Sequence, residues 1–322
     1  MASSPPEALG IPAGAGSAVD DPDQGAAWVR SEFGRGPVAP SFARRSWQRY
    51  RTNQPAMVAL VGFVLIVLFV LSAGLLARIT GHPFEGVDLP RKLAPPRTDG
   101  FVLGSDALGR DLMVRLAYGG RISLLVAGIA GITTLVIGGL LGAISGYFGG
   151  FVDGVLMRLV DILLTIPGLS LLILIFSVYS PSPVEIALIL ALFGWAGLAR
   201  VIRAQVLSLR TSEHVMAARV IGATDRRIVL HHIIPNVLPT LLVFASLAIP
   251  GLILTEAALS FLGFGVRIPT PSWGNMLQDA EDYYRLSWTN AFIPGFMIYL
   301  TVLCTNLIGD ALRDAFDPRL NR

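Results

Sequence analysis

The stretch HVMAARVIGATDRR, residues 214–227, decides the fold, because it is polar and patterned yet lies between apolar runs long enough to cross a membrane. It contains three arginines, the pair Ala217-Ala218 and a single glycine, Gly222. Two adjacent alanines leave one side of a helix without bulky side chains, so a rigid helix formed here has the shape to enter a groove on another protein. The stretch therefore predicts a docking element between two spans, not a flexible tether.

Residues 204–221 contain good helix formers and neither proline nor glycine, which predicts one helix. Gly222 follows, at the place where a helix commonly ends on a left-handed residue. Thr224 is placed to cap a second helix with Asp225 in its first turn, and this helix is expected to stop near Pro235. The local prediction is thus a helix, a tight glycine turn and a second helix.

The composition places the chain in a membrane. Of its 322 residues, 53% are hydrophobic and 15% are charged, and the mean hydropathy is +0.64; soluble domains carry about 25% charged residues. The single cysteine, Cys304, excludes a disulfide within the chain. The only lysine, Lys92, is followed by leucine, so the Gly-Lys-Ser/Thr of a P-loop is absent and ATP binding by that motif is excluded.

Six apolar runs, each near the roughly 20 residues that a bilayer requires, predict an all-α membrane protein with six transmembrane helices. They lie at about 55–77, 122–145, 155–179, 184–203, 237–260 and 290–310. The third run is interrupted by Thr-Ile-Pro-Gly at 165–168, which membrane helices tolerate when neighbours satisfy the freed backbone groups.

The segments outside the spans have distinct compositions. Residues 1–40, rich in Pro, Gly, Ala, Ser and Asp, predict a disordered tail. Residues 41–54 contain four arginines, aromatic residues and no acid, which favours a short interfacial helix on an anionic leaflet over a solvated basic linker. The transmembrane domain then covers 55–310, and residues 311–322 form a second tail.

The arginines indicate the orientation, because cytoplasmic loops carry the excess of positive residues. The segment 200–235 contains six arginines against two acids, whereas the loop 261–289 contains two arginines against three acids. The loop 78–121, with seven basic and five acidic residues, disagrees, but it is long and mixed in sign. We expect both termini in the cytoplasm.

The segment between spans four and five resembles the EAA loop of ABC importer permeases, in which Glu-Ala-Ala is followed at fixed spacing by a glycine and by Ile-x-Leu-Pro. Ala217-Ala218, Gly222 and Pro235 keep that spacing, while Met216 stands in place of the glutamate. His232 and Ile234 stand at the Ile and Leu positions. The resemblance implies that residues of about 204–236 form the coupling loop, which docks into a cleft on an ATPase subunit.

Four further motifs resemble the C-type permease subunits of oligopeptide and dipeptide importers, and with the loop they cover about residues 45–320. They are LGSDALGRDLMVRLAYGGRISLL (103–125), GYFGGFVDGVLMRLVDILLTIPG (146–168), TEAALSFLGFG (255–265) and NLIGDALRDAFDPRL (306–320). The resemblance implies a type I ABC importer permease fold in the bacterial cytoplasmic membrane. It also implies four kinds of partner: a homologous second permease subunit, two cytoplasmic ATPases that bind ATP and magnesium, an external solute-binding protein, and a peptide substrate.

On this interpretation the chain is not itself an enzyme and holds no cofactor or metal; the ATPases hydrolyse ATP. Two groups of residues carry the function. The predicted ATPase-coupling residues are Glu213, Met216, Ala217, Ala218, Arg219, Gly222, Ala223, Asp225 and Pro235. The predicted pathway and gate residues are Asp161, Arg200 and Glu256.

Each charged candidate has an alternative interpretation. Asp161 and Arg200 should both lie toward the cytoplasmic side, as an ion pair of the inner gate or as a static structural pair. Glu256 could attract the amino terminus of a peptide or tie span five to a neighbouring helix. Asp106, Arg110, Asp111 and Arg115 predict first a solvated, salt-bridged helix face, and second a contact with the binding protein.

Two other classes of protein fit less well. A secondary transporter or channel would be self-contained, with coupling carboxylates or a filter near the midplane and no use for a docking loop. An intramembrane enzyme would need a nucleophile with its base, or metal ligands, at membrane depth, and none stands out. Within the importer class, the cargo could also be nickel, haem or another small solute.

Overall fold

The computed structural model describes Gln48 and residues 50–316, without the side chain of Phe316. The predicted tail at 1–40, most of the predicted interfacial helix at 41–54 and the end of the second tail lie outside these residues. The α-helices of residues 54–316 are, in chain order, α1 Gln54–Leu71, α2 Ala73–Thr80, α3 Leu112–Phe148, α4 Gly150–Thr165, α5 Gly168–Val178, α6 Pro183–Leu209, α7 Glu213–Val220, α8 Asp225–Ile228, α9 Ile234–Phe261, α10 Trp273–Ala280 and α11 Trp288–Phe316.

The expected all-α membrane architecture is confirmed. Five helical stretches are long and apolar enough to cross a membrane: α1, α3, α6, α11 and the continuous run Asp225–Phe261. The pair α4 and α5 makes a sixth if it counts as one span bent by 80°. No strand longer than an isolated bridge occurs in the part of the chain that the structure describes.

The bend between α4 and α5 lies at the predicted interruption. Ile166 and Pro167 have extended backbone conformations, with ψ of 129° and 100°. Proline lacks an N–H for the helix ladder and disfavours a helical conformation at the residue before it. The sequence Thr-Ile-Pro-Gly therefore interrupts the helix and sets its two halves at an angle of 80°.

Small residues hold α3 and α6 together. Gly138, Gly142 and Gly146 recur every four residues along one side of α3, and a Cβ atom at Gly142 would lie only 2.6 Å from the carbonyl oxygen of Ala199 on α6. Glycines at this spacing let two membrane helices approach closely, where dispersion contacts replace the missing hydrophobic drive. The pair α3–α6 is thus a tightly packed centre of the bundle, and the residues that follow α6 pack against its end.

Candidate functional site

The coupling loop consists of α7, a turn at Gly222 and α8. Gly222 has a φ of 83°, in the left-handed region that favours glycine, and its N–H donates to the Arg219 carbonyl at 3.1 Å. The Thr224 hydroxyl accepts a hydrogen bond from the N–H of Arg227 and so caps α8. The turn and the second cap lie where the sequence predicts them.

Two other local predictions were wrong. The expected single helix over 204–221 is divided: α6 ends at Leu209 and α7 begins at Glu213. The hydroxyls of Thr211 and Ser212 donate to the carbonyls of Ser208 and Leu209, at 3.0 and 2.5 Å, and this local bonding competes with the helix ladder.

The second helix does not stop near Pro235 either. It passes from α8 through a π-helical turn, Val229–Ile233, directly into α9. Pro235 lies in the first turn of α9, where its missing N–H costs no α-helical hydrogen bond. The loop therefore joins span five as a continuous helical path.

The side of α7 that faces away from the helix bundle is mostly apolar and exposed. Glu213, Met216, Ala217 and Val220 follow one another at spacings of three, one and three, so they share a face, and Ile221 continues it. Val220 and Ile221 are 87% and 85% exposed. We call these five residues the coupling face.

The opposite side of α7 is buried. Val215 and Ala218 pack with Val206 of α6 and Ile228 of α8 in one apolar cluster. Of the predicted alanine pair, only Ala217 therefore reaches the exposed side, while Ala218 anchors the helix. Packing on one side makes the coupling face a rigid surface and not a mobile tip.

A residue that the sequence did not single out joins the loop to α3. The Tyr147 hydroxyl donates to a carboxylate oxygen of Asp225 at 2.5 Å and accepts from an Arg219 nitrogen at 3.3 Å. The same arginine lies over the tyrosine ring, 5.8 Å from its centroid. The predicted coupling residues Arg219 and Asp225 thus meet at one phenol, whose only signal in the sequence is its place in the motif 146–168.

The predicted ion pair between spans three and four forms. An Arg200 nitrogen lies 2.5 Å from Asp161, and both side chains are about half exposed, at 51% and 56%. One turn away along α6, Arg203 binds Asp153 through two nitrogens, and Ser145 donates to the same carboxylate. Two ion pairs therefore clamp α4 to α6.

Glu256 is enclosed in the bundle. It is fully buried, and its two carboxyl oxygens accept hydrogen bonds from Ser123 of α3 at 2.8 Å and from Ser260 at 2.7 Å. The Ser123 hydroxyl also accepts from the N–H of Trp273, the first residue of α10. These contacts are those of a tie between span five and its neighbours, the second of the two interpretations given above.

The outer charged residues were expected on a solvated, salt-bridged helix face; the salt bridges form, but the prediction of a solvated helix face was wrong. Asp106, Arg110, Asp111 and Arg115 are all buried. Asp106 accepts from Arg110 at 2.6 Å and lies 3.3 Å from Arg115, while Asp279 of α10 lies 3.2 and 3.4 Å from the two arginines. Only Arg115 lies within a helix, because Asp111 caps α3, accepting from two backbone N–H groups, and the others precede that cap.

This arrangement, which we call the outer cluster, joins the start of α3 to α10. Burial raises the pKa of Asp279, and the charges of Arg115 and Arg110 oppose that shift. No group of three or more His, Cys, Asp or Glu side chains among the described residues is arranged to hold a metal ion.

Residues 138–322 match the family described as binding-protein-dependent transport system inner membrane component. Residues 41–96 match the N-terminal transmembrane domain of oligopeptide transport permease C.

Individual relatives align over most of the chain. The oligopeptide transport system permease protein OppC of Haemophilus influenzae is 43% identical over 282 residues, covering 86% of this chain and 89% of the relative. OppC of Bacillus subtilis is 39% identical, covering 85% and 88%. The dipeptide transport system permease protein DppC of Bacillus subtilis is 36% identical, covering 88% and 87%.

Proposed function

The chain belongs to the family of binding-protein-dependent transport system inner membrane components, and on this premise we propose that it is one permease subunit of an ATP-driven peptide importer. The main observation in support of this proposal is the exposed apolar coupling face. A rigid helix that presents methionine, alanine, valine and isoleucine to water costs solvation free energy in the free chain, and a groove on a partner removes that cost. The proposed partner at this face is a cytoplasmic ATPase subunit.

The orientation of the chain and its other proposed partners follow from this docking. Because the coupling face must meet ATPases, it lies in the cytoplasm, and the alternation of spans then puts both termini on the same side. Two ATPases bind ATP and magnesium, a homologous second permease subunit completes the pathway, and an external solute-binding protein delivers cargo. This chain binds no cofactor and acts as a lever driven by the ATPases.

The exposed side of α4 supports a position for the pathway. It combines the half-exposed Asp161–Arg200 pair with the broken backbone at Ile166 and Pro167. Charged side chains and non-helical backbone at membrane depth are costly in lipid and are found where protein covers them or water fills a cavity. We propose that this side is a wall of the pathway and that Asp161 and Arg200 belong to its inner gate.

Glu256 has a different role in this proposal. Its carboxyl group meets serines and not water, so contact with a peptide requires α3 and α9 to separate. In the conformation described, Glu256 keeps the outer halves of these helices together.

The cargo is proposed to be a peptide, because the relatives aligned over most of the chain are named for oligopeptide and dipeptide transport. If the bound ligand is nickel, haem or another small solute, the proposed cargo is wrong while the importer class stands. Co-purification of the solute-binding protein with the assembled complex, followed by mass spectrometry of its bound ligand, separates these cases.

The proposed coupling is tested by expressing this chain with its second permease subunit and its ATPases and by supplying the solute-binding protein with its peptide. We expect a stable complex that takes up peptide in proteoliposomes only with ATP, and no uptake when the ATPases carry a hydrolysis-deficient substitution. Transport by this chain alone, without ATP or ATPases, would overturn the proposal in favour of a secondary transporter.

A further inference from the structure

Tyr147 is the penultimate residue of α3, and its hydroxyl is hydrogen-bonded to two residues of the coupling loop. The side chain is buried except for about 6% of its surface. The ring packs in the apolar cluster under α7, while the hydroxyl reaches Asp225 and Arg219. A single phenol therefore has two separable duties, one apolar and one polar.

The two hydroxyl partners lie on opposite sides of the Gly222 turn. Arg219 is in the last turn of α7, and Asp225 is the first residue of α8. The hydroxyl accepts from one and donates to the other, so it bridges the two helices across the turn. Charge-assisted hydrogen bonds of this kind are directional and about twice as strong as neutral ones, so they fix the angle at which the two helices meet.

The bridge also provides a path that the covalent chain does not. Along the chain, the loop is connected only to α6 and α9. Tyr147 connects it through space to α3, and Arg210 supports that connection by reaching the Gly146 and Tyr147 carbonyls at 3.5 Å. The 37 residues of α3 form a rod of about 55 Å, whose other end carries Arg115 in the outer cluster.

We propose that Tyr147 is a positioning residue of the transport cycle: its hydroxyl fixes the angle of the coupling loop and transmits the movement of the loop into α3. This inference rests on the proposed function, because it presumes that an ATPase moves the loop. A displacement of the coupling face then reaches the outer side of the membrane through one continuous helix, besides the paths through α6 and α9.

Tyr147→Phe tests the hydroxyl alone, because phenylalanine keeps the ring in its apolar cluster. In the complex with its ATPases and second permease subunit, reconstituted with the solute-binding protein, we would measure trialanine uptake and ATP hydrolysis together. We expect normal assembly, ATP hydrolysis within about twofold of wild type, and a fall of roughly tenfold or more in peptide moved per ATP, because the variant removes both charge-assisted hydrogen bonds of the hydroxyl.

Two further variants make the result specific. Tyr118→Phe makes the same chemical change near the outer end of α3, where the tyrosine ring contacts Phe84 and Arg121, and it should leave the ratio unchanged. Asp225→Asn weakens the same bridge from its other side. If the hydroxyl acts through Asp225, the double variant Tyr147→Phe/Asp225→Asn should be no worse than either single variant.

The outcomes distinguish the inference from its premise. A wild-type chain that binds no ATPase would refute the proposed function. If wild type couples ATP to uptake and Tyr147→Phe keeps the wild-type ratio, the positioning role of Tyr147 is refuted while the proposed function stands. Additive losses in the double variant, or an equal loss in Tyr118→Phe, would likewise refute the bridge.

Discussion

The coupling face and the outer cluster follow opposite rules of solvation. On the coupling face, Val220 and Ile221 are apolar and almost fully exposed. In the outer cluster, Asp106, Arg110 and Arg115 are charged and almost fully buried. Both arrangements are costly when considered alone, and the two costs are met in different ways.

The outer cluster meets its cost within the chain, because two arginines and two aspartates neutralise one another across α3, α10 and the loop between α2 and α3. The coupling face has no such partner among the described residues, and we propose that an ATPase subunit covers it. The contrast teaches that burial separates structural charges from docking surfaces more reliably than residue type does. It predicts that substitutions in the outer cluster act on stability, whereas substitutions on the coupling face act on assembly.

The largest effect is expected from Arg115→Met, which removes one buried partner and leaves Asp106 and Asp279 undercompensated. Breaking a buried ion pair from one side costs about 3–5 kcal/mol, so the thermal midpoint of the purified chain in detergent should fall by on the order of 10 °C. Arg91→Met is the matched control, because Arg91 pairs with Asp88 in a partly exposed site and should cost less than about 1 kcal/mol. Equal shifts in the two variants would contradict the structural role of the outer cluster.

The next effect is expected from the double variant Val220→Asp/Ile221→Asp on the coupling face. Burying a side chain of this size contributes about 1.5–3 kcal/mol, so losing two should weaken binding of the ATPase subunits about 100-fold or more, with no change in thermal midpoint. Val87→Asp places one such charge on an exposed valine of the loop between α2 and α3 and should leave ATPase binding intact. A large loss of stability in the double variant would erase the distinction between the two regions.

Local signals explain which parts of this contrast the sequence predicts. The turn at Gly222, the cap at Thr224 and the break at residues 165–168 depend on neighbours within a few positions, and all three form. The pair Asp161–Arg200 also follows from the sequence, because antiparallel neighbouring spans bring both residues to one level. Each of these needs only local backbone preference or the order of the spans.

The remaining features depend on contacts distant in sequence. Asp279 lies more than 160 residues from Arg110 and Arg115, so no spacing rule shows that it would bury them. Tyr147 meets Asp225 across 78 residues. The division of the first helix at Thr211 and Ser212 is local, but it depends on which hydroxyl bonds form, and helix propensity alone does not rank those.

The pair Asp161–Arg200 differs from both regions, because its side chains are charged like the outer cluster but half exposed. Exposed pairs contribute about 0–1 kcal/mol to stability, so Asp161→Arg should hardly move the thermal midpoint. If the pair belongs to the inner gate, this reversal should lower ATP-driven peptide uptake roughly tenfold, the effect of about 1.4 kcal/mol. The double swap Asp161→Arg/Arg200→Asp should recover most of that uptake, and a swap that recovers none would refute pairing in the gate.

The smallest effect is expected at the edge of the coupling face, where Glu213 and Met216 lie one turn apart. If Glu213 supplies the carboxylate that Met216 lacks, Glu213→Ala removes one exposed polar contact with the ATPase, worth about 0.5–1 kcal/mol. Peptide moved per ATP should then fall by roughly twofold to fivefold, and Met216→Glu in the same background should restore it. An unchanged ratio in Glu213→Ala would mean that the apolar residues and the Gly222 turn suffice for docking, because the coupling face then owes nothing to charge.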